Sequence, residues 1–344
     1  MNASLAFAEA VAVRCEAALG QRKIRSDSYR IGSLTFRLTA PADAGGRWIG
    51  SAFLPAETDS IAASGYRLQV WDGIAAETAP PARPWGPMAH EPLGLIEGFC
   101  DEAVRCAFDI HTSSLTVHHA ANNAGYLWYP ELAALPAWAQ ASPFRIPLSW
   151  FANRHGQQIV HAAAVAVDGR AALIAGGGGA GKSTTALACA LSGMSYLGDD
   201  YCVIEPAARK VHMLYQSAKL LRSSLDMLPA VRPWLANADR VEQEKGVMFL
   251  DPSRLPLTPS AEVAAILLPR VTGAARTTLR KGSSRDALHA ILPSTIGGLM
   301  GGTAATPRLL MALAASAPVY HIDLGSEIAS VPDTVASVLE RIHA

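Results

Sequence analysis

Apolar and polar residues alternate with period two in "SYRIGSLTFRLTA" (28–40) and "GYRLQVWDG" (65–73), a pattern that predicts half-buried β-strands. "VRCAFDIHTSSLTVHHA" (104–120) shows the same alternation on both sides of His111 to Ser114 and predicts a pair of strands. The N-terminal "MNASLAFAEAVAVRCEAALG" has helical spacing instead. It lacks a basic leading segment and Glu9 interrupts its apolar run, so it reads as an amphipathic helix and not as a signal peptide. "TAPPARPWGP" (Thr78 to Pro87) is too rich in proline for a helix or a central strand and predicts a loop. The first third of the chain is thereby β-rich. "YLWYPELAALPAWAQASPFRIPLSWF" follows, and its tryptophans Trp128, Trp138 and Trp150 are expected to pack between two domains.

Near residue 145 the pattern changes to strand, loop, helix, strand. "RAALIA", "SYLG", "EVAAILLP" and "PVYHIDL" read as strands. "STTALACALS", "PRLLMALAAS" and "DTVASVLERIHA" read as helices, and "YCVIEPAARKVHMLY" as a hairpin. That succession predicts an α/β domain over 146–344 behind a β-rich accessory domain over 1–145. Composition supports two cores: 344 residues, 50% hydrophobic and 17% charged. Lys plus Arg and Asp plus Glu both number 29, so there is no basic excess and no nucleic-acid partner is expected. Five scattered cysteines without a C-x-x-C suit reduced thiols in a cytosol. No apolar run reaches membrane-spanning length. A cytoplasmic location with no membrane partner is the expectation.

The chemistry begins at Gly176 to Ser183, "GGGGAGKS", which fits G-x-x-x-x-G-K-[ST]. Gly176, Gly177, Gly178, Gly179, Ala180 and Gly181 would wrap backbone N–H groups around phosphates, since glycine lacks the Cβ that would obstruct the approach. Lys182, Ser183 and Thr184 would open a helix whose positive end faces the same anion. Lys182 can reach the β- and γ-phosphates, and the Ser183 hydroxyl suits magnesium.

Just before the loop, "AVAVDGRAAL" holds an Asp-Gly pair that favours a two-residue hairpin turn. With Asp168 and Gly169 as the turn, Val167 opposes Arg170 and opposing residue numbers sum to 337. His161 then falls opposite Gly176, at the edge of the phosphate loop. Seventeen residues beyond Ser183 the chain reaches Asp200 in "LGDD". A short crossover helix is expected to make the "SYLG" strand the parallel neighbour of the loop strand, bringing Asp199 and Asp200 beside the phosphates. One carboxylate can hold magnesium and the other can take a proton from an incoming hydroxyl.

His161, the hairpin, "GGGGAGKS" and "GDD" at these spacings resemble the catalytic domain of HPr kinase/phosphorylase, which is related in fold to phosphoenolpyruvate carboxykinase. The resemblance implies a P-loop kinase domain that uses ATP and Mg²⁺ to phosphorylate a serine hydroxyl of a peptide or protein. It matches Lys182 and Ser183 to the loop lysine and the magnesium-binding serine, Asp200 to the aspartate that deprotonates the acceptor, and His161 to the active-site histidine. Asp199 is left with Ser183 as a metal ligand. The resemblance is tight over about 160–205. Beyond it, "YQSAKLLRSSLDML" lacks the glutamate expected about twenty residues after the aspartates, and the first third does not look like the family's accessory domain. The chain is therefore similar to the HPr-kinase-like group, which includes tailoring kinases that phosphorylate the C-terminal serine of lasso peptide precursors. HPr kinases are hexamers, and a homo-oligomer stays open here.

A further cation is desirable on the transferring group, with Lys219, Arg222 and Lys245 as candidates. Three alternatives stay open: an HPr kinase/phosphorylase proper, a small-metabolite kinase, and a non-catalytic nucleotide-sensing module. The loop reads only phosphates and does not separate them. The β-rich first domain is expected to recognise the peptide.

Overall fold

The computed structural model describes residues 2–43, 48–54, 65–86, 94–297 and 302–341. The chain divides into two units, Met1–Phe151 and Ala152–Ala344. Pro87, the last residue of the expected proline-rich loop, and 342–344 at the end of the expected last helix lie outside the described residues.

The first unit opens with α1 (Ala3–Gly20), whose N-terminus is capped by the Asn2 side chain accepting from the Ser4 N–H at 3.3 Å. Phe7, Val11, Cys15 and Leu19 recur at i, i+4 and are buried, as the helical spacing predicts. They pack against Trp71, Ile96, Val104, Leu115 and Tyr126 of the sheet. Its strands are β1 (Ile24–Ile31), β2 (Leu34–Pro41), β3 (Tyr66–Asp72), β4 (Leu95–Cys100), β5 (Val104–Asp109), β6 (Ser114–His119) and β7 (Ala124–Tyr129). They lie in the order β1-β2-β3-β7-β6-β5-β4, with β3 parallel to both β2 and β7. The short α2 (Ala137–Gln140) and then α3 (Arg145–Arg154) follow, and α3 runs through the division at residue 151. Trp128 packs with the α1 cluster and Trp150 is buried near the His118 ring, so both pack within the first unit.

The second unit comprises β8 (Gln158–Val160), β9 (Ala162–Val167), β10 (Arg170–Ala175), α4 (Lys182–Leu191), β11 (Ser195–Gly198), β12 (Cys202–Glu205) and β13 (Lys210–Met213), followed by β14 (Ser217–Leu220), α5 (Arg222–Met227), β15 (Gly246–Phe249), β16 (Ser260–Val271) and β17 (Thr278–Lys281). The chain ends with α6 (Ser284–Ile296), α7 (Thr306–Ser316), β18 (Val319–Leu324) and α8 (Ser330–Arg341). A mixed sheet runs β11-β9-β10-β16-β13-β12-β8, with β18 also on β16 and β17 on β18; β14 and β15 pair separately. β10, β16 and β18 are parallel to one another. The path comes back on itself, because β8 at one end and β9 near the other are separated only by His161.

β9 is "AAAVAV", apolar throughout, as befits a strand covered on both faces. Ala162, Ala164 and Ala166 join a cluster with Ile291 of α6 and Leu313 of α7. The alternate residues Ala163 and Val165 are also buried, and α4 runs against the same strand. Small side chains let the helices approach closely. Among the described residues, no helix is long and apolar enough to cross a membrane.

The hairpin register is as the sequence predicts: Val167 pairs with Arg170 and Ala162 with Ala175, while Asp168 and Gly169 both have positive φ. The crossover is not as predicted. β11 pairs antiparallel with β9, so it is parallel to β10 but one strand removed from it. The physical reason is that both edges of β10 are already taken, one by its hairpin partner β9 and the other by β16.

Candidate active site

β10 ends at Ala175 and α4 begins at Lys182, with Gly176–Gly181 between them. Two of these glycines are required by conformation, Gly179 at φ +76° and Gly181 at φ +100°. A Cβ on Gly181 would lie 2.5 Å from Leu324 Cδ1, whereas one on Gly177, Gly178 or Gly179 would meet nothing. The open side of the loop is therefore clear backbone, and the first amides of α4 have no partner within the helix. Lys182, 6% exposed, folds over the loop and its Nζ donates to the carbonyls of Gly176 (2.8 Å) and Gly177 (3.0 Å). Burial pulls its pKa down from the ordinary lysine value, and Asp200 opposes that pull. Ser183 Oγ makes a long contact of 3.4 Å to the Asp199 carbonyl, and Thr184 Oγ1 donates to Ser224 Oγ at 2.8 Å.

His161 and Asp200 meet where two ladders are interrupted. The segment 195–204 runs antiparallel to 158–166: Gly198 pairs with Ala164 on one side of the gap, and Cys202 with Val160 on the other. Residues 199–201 and 161–163 face each other across the gap without pairing, while Ala162 and Ala163 keep their pairing with β10. His161 Nε2 is 3.2 Å from Asp200 Oδ1, and Lys219 Nζ is 2.9 Å from Asp200 Oδ2. The Tyr201 ring lies beside both, 5.5 Å from the His161 ring and 6.0 Å from Lys219 Nζ. Burial alone would raise the Asp200 pKa, but Lys219 and His161 outweigh it and hold the carboxyl well below the usual carboxylate range.

Asp199 faces elsewhere. It is 2% exposed; its Oδ2 accepts the Lys219 backbone N–H at 2.9 Å, and its Oδ1 is 3.1 Å from the Tyr196 hydroxyl. That hydroxyl has one proton and a nearer acceptor in the Ser217 carbonyl at 2.8 Å. Burial, then the neighbouring Asp200 charge, pushes Asp199 up from 3.8 to about 6.

A cavity of about 530 Å³ joins these parts. His161, Gly178–Thr185, Asp200, Lys219 and Lys245 line it, with apolar walls from Leu221 and Met227 near α5, from Val271 and Leu324 at the ends of β16 and β18, and from Ile328. Asp200 is the carboxylate that lines it, against three lysines, so its charge suits a polyanion. The structure thus brings together His161, the loop, Lys182, Ser183, Thr184, Asp200, Lys219 and Lys245. It does not bring Asp199 into the cavity. Nor does it bring Arg222, which is exposed and paired with Asp226 and Glu242.

Among the described residues, no group of three His, Cys, Asp or Glu side chains could hold a metal by itself. The Ser183 hydroxyl is nonetheless a hard oxygen donor on the cavity, and it fits magnesium bound mainly through nucleotide phosphates. Sequence reasoning missed Tyr196 and Ser217, which fix Asp199, and the apolar walls. A tyrosine three residues before the aspartate was the one local signal. The chain matches no protein-family model and no curated protein.

Proposed function

We propose that the second unit is an ATP-dependent serine kinase, a P-loop phosphotransferase whose acceptor is a serine hydroxyl of a peptide or protein. The observation that carries this reading is the opening of the Lys182 loop and the Asp200 carboxylate onto one 530 Å³ cavity. Phosphate gripping and proton acceptance, the two requirements of phosphoryl transfer to an alcohol, share that space. The loop amides and the first turn of α4 bind the phosphates. Lys182 turns from the Gly176 and Gly177 carbonyls to the β- and γ-oxygens. Magnesium, when bound, would neutralise phosphate charge, with the Ser183 hydroxyl as its protein donor. His161 holds Asp200 Oδ1, orienting the carboxylate that accepts the hydroxyl proton. The specific version favoured by the resemblance is a kinase for the C-terminal serine of lasso peptide precursors, with the first unit recognising the peptide.

The nucleotide-sensor alternative has one observation in its favour: both Asp200 oxygens are engaged, by His161 and by Lys219. The deciding experiment incubates the full chain with ATP, Mg²⁺ and a pool of serine-containing peptides and follows phosphate by mass. Phosphoserine that appears with the wild type and drops about 10²–10⁴-fold in Asp200→Asn, the range for losing a general base, supports the kinase. Tight ATP binding without transfer to any peptide rejects it in favour of the sensor or a metabolite kinase.

A further inference from the structure

The first unit has a cavity of its own, of about 40 Å³, on the face of its sheet away from α1. Asp109 of β5 pairs with Ser114 of β6, and the register of β6 with β7 places Ser114 opposite Tyr129. Thr116 lies two residues on, on the same face, whereas Leu115 and Val117 alternate with them and pack under α1. The chain from Leu135 to Pro147 covers this polar row and lines the cavity with Trp138, Phe144 and Arg145.

Asp109, Thr116 and Tyr129 are 8%, 4% and 7% exposed. Asp109 Oδ1 accepts the His111 N–H at 2.9 Å. Its Oδ2 and the hydroxyls of Thr116 and Tyr129 have no hydrogen-bond partner among the described residues. Side chains buried this far are nearly always paired, and the space they line is roughly three times what one water needs. Burial, then the Asp109 charge, pushes the Tyr129 pKa up, with Arg145 opposing, so the hydroxyl keeps its proton and can donate. An ammonium would suit Asp109 but would meet Arg145, and a carboxylate would suit Arg145 but would meet Asp109. A neutral group with N–H donors on one side and an acceptor on the other satisfies the whole lining.

We propose that this cavity binds a primary carboxamide, the end of a glutamine or asparagine side chain in a bound peptide. Its NH₂ donates to Asp109 Oδ2 and the Thr116 hydroxyl, its oxygen accepts from Tyr129, and its stem passes Trp138 and Phe144. The space takes the amide alone, so the peptide main chain stays outside. The site lies wholly within the first unit and does not depend on the kinase reading.

The test labels the full chain with 5-fluorotryptophan and titrates it with N-acetyl-glutamine-N-methylamide, read by ¹⁹F nuclear magnetic resonance. Trp138→Phe identifies the Trp138 signal. That signal should shift saturably, with a Kd on the order of millimolar for so small a probe. The matching lysine and glutamate compounds should not saturate in that range. No saturable shift means that the cavity holds only water, and overturns the proposal. A lysine compound that binds as tightly makes it a cation site and overturns it too. Free L-glutamine binding more tightly than the capped compound overturns the peptide source. Asp109→Asn, Tyr129→Phe and the isosteric Thr116→Val should each weaken binding, the first two about 10-fold or more. The other tryptophan signals, left in place, show that each variant is folded. Unchanged affinity in the folded variants refutes the assignment.

Discussion

Asp199→Asn should make the protein less sensitive to pH, and the size of the effect follows from the geometry around Tyr196. The carboxylate is buried, sits next to Asp200, and competes with the Ser217 carbonyl for one hydroxyl proton. An amide, or a protonated acid, resolves that competition. It donates to the Tyr196 oxygen, the hydroxyl donates to Ser217, and the remaining oxygen still accepts the Lys219 N–H. The folded-state value of about 6 lies above the ordinary 3.8, so the protonated form favours the fold. Its contribution is fully present below about 3.8 and is lost as pH rises through about 6. The whole span corresponds to roughly 3 kcal/mol at about 1.36 per pKa unit, of which about 1 kcal/mol is recovered between about pH 8 and about pH 5. Asp200, held below the ordinary range, titrates outside that interval, and groups common to both proteins cancel in the comparison. Urea unfolding followed by far-UV circular dichroism, on wild type and variant at both pH values, gives the difference of differences. Wild type should lose about 1 kcal/mol relative to the variant on going from about pH 5 to about pH 8. An unchanged difference would refute the account of Asp199.

Lys182→Ala should weaken binding of a fluorescent ATP analogue by about 10–100-fold, the equivalent of one lost hydrogen bond to a charged group. Gly181→Ala places a methyl on a residue at φ +100° and 2.5 Å from Leu324 Cδ1, and should cost about 1–3 kcal/mol in denaturant unfolding. Ser283→Ala breaks the capping box of α6, in which Ser283 and Asp286 satisfy each other's backbone N–H groups, and should cost about 1 kcal/mol while leaving nucleotide affinity alone.

The loop and His161 were legible because local chemistry fixes them. Asp168 and Gly169 dictate the turn, the turn dictates the register, and the register carries His161 one residue past the last pair, Ala162 with Ala175. The two aspartates were legible as a pair but not as individuals. They lie in a bend just past the end of β11, where Asp199 turns towards Tyr196 and Asp200 towards the cavity, and no periodicity in the sequence shows which does which. The place of β11 was misread because the crossover rule does not know which strand edges are occupied. Nothing in "SAKLL" marks Lys219 as more than a surface charge. Its position is set by the pairing of β14 with β15, whose residues lie well downstream in the chain.

The parallel pairing of Arg170–Ile174 with Glu262–Leu267 joins strands separated by about 90 residues. During synthesis the glycine-rich loop leaves the ribosome long before β16, its second neighbour, exists. Leu324, which packs where a Gly181 side chain would stand, comes later still. From Ser183 to Leu324, about 140 residues of synthesis, the nascent chain carries the motif without the complete site. On the proposed kinase reading, nucleotide would bind only what the late strands have assembled, so it would stabilise the completed second unit by mass action and have no part in guiding the early folding steps.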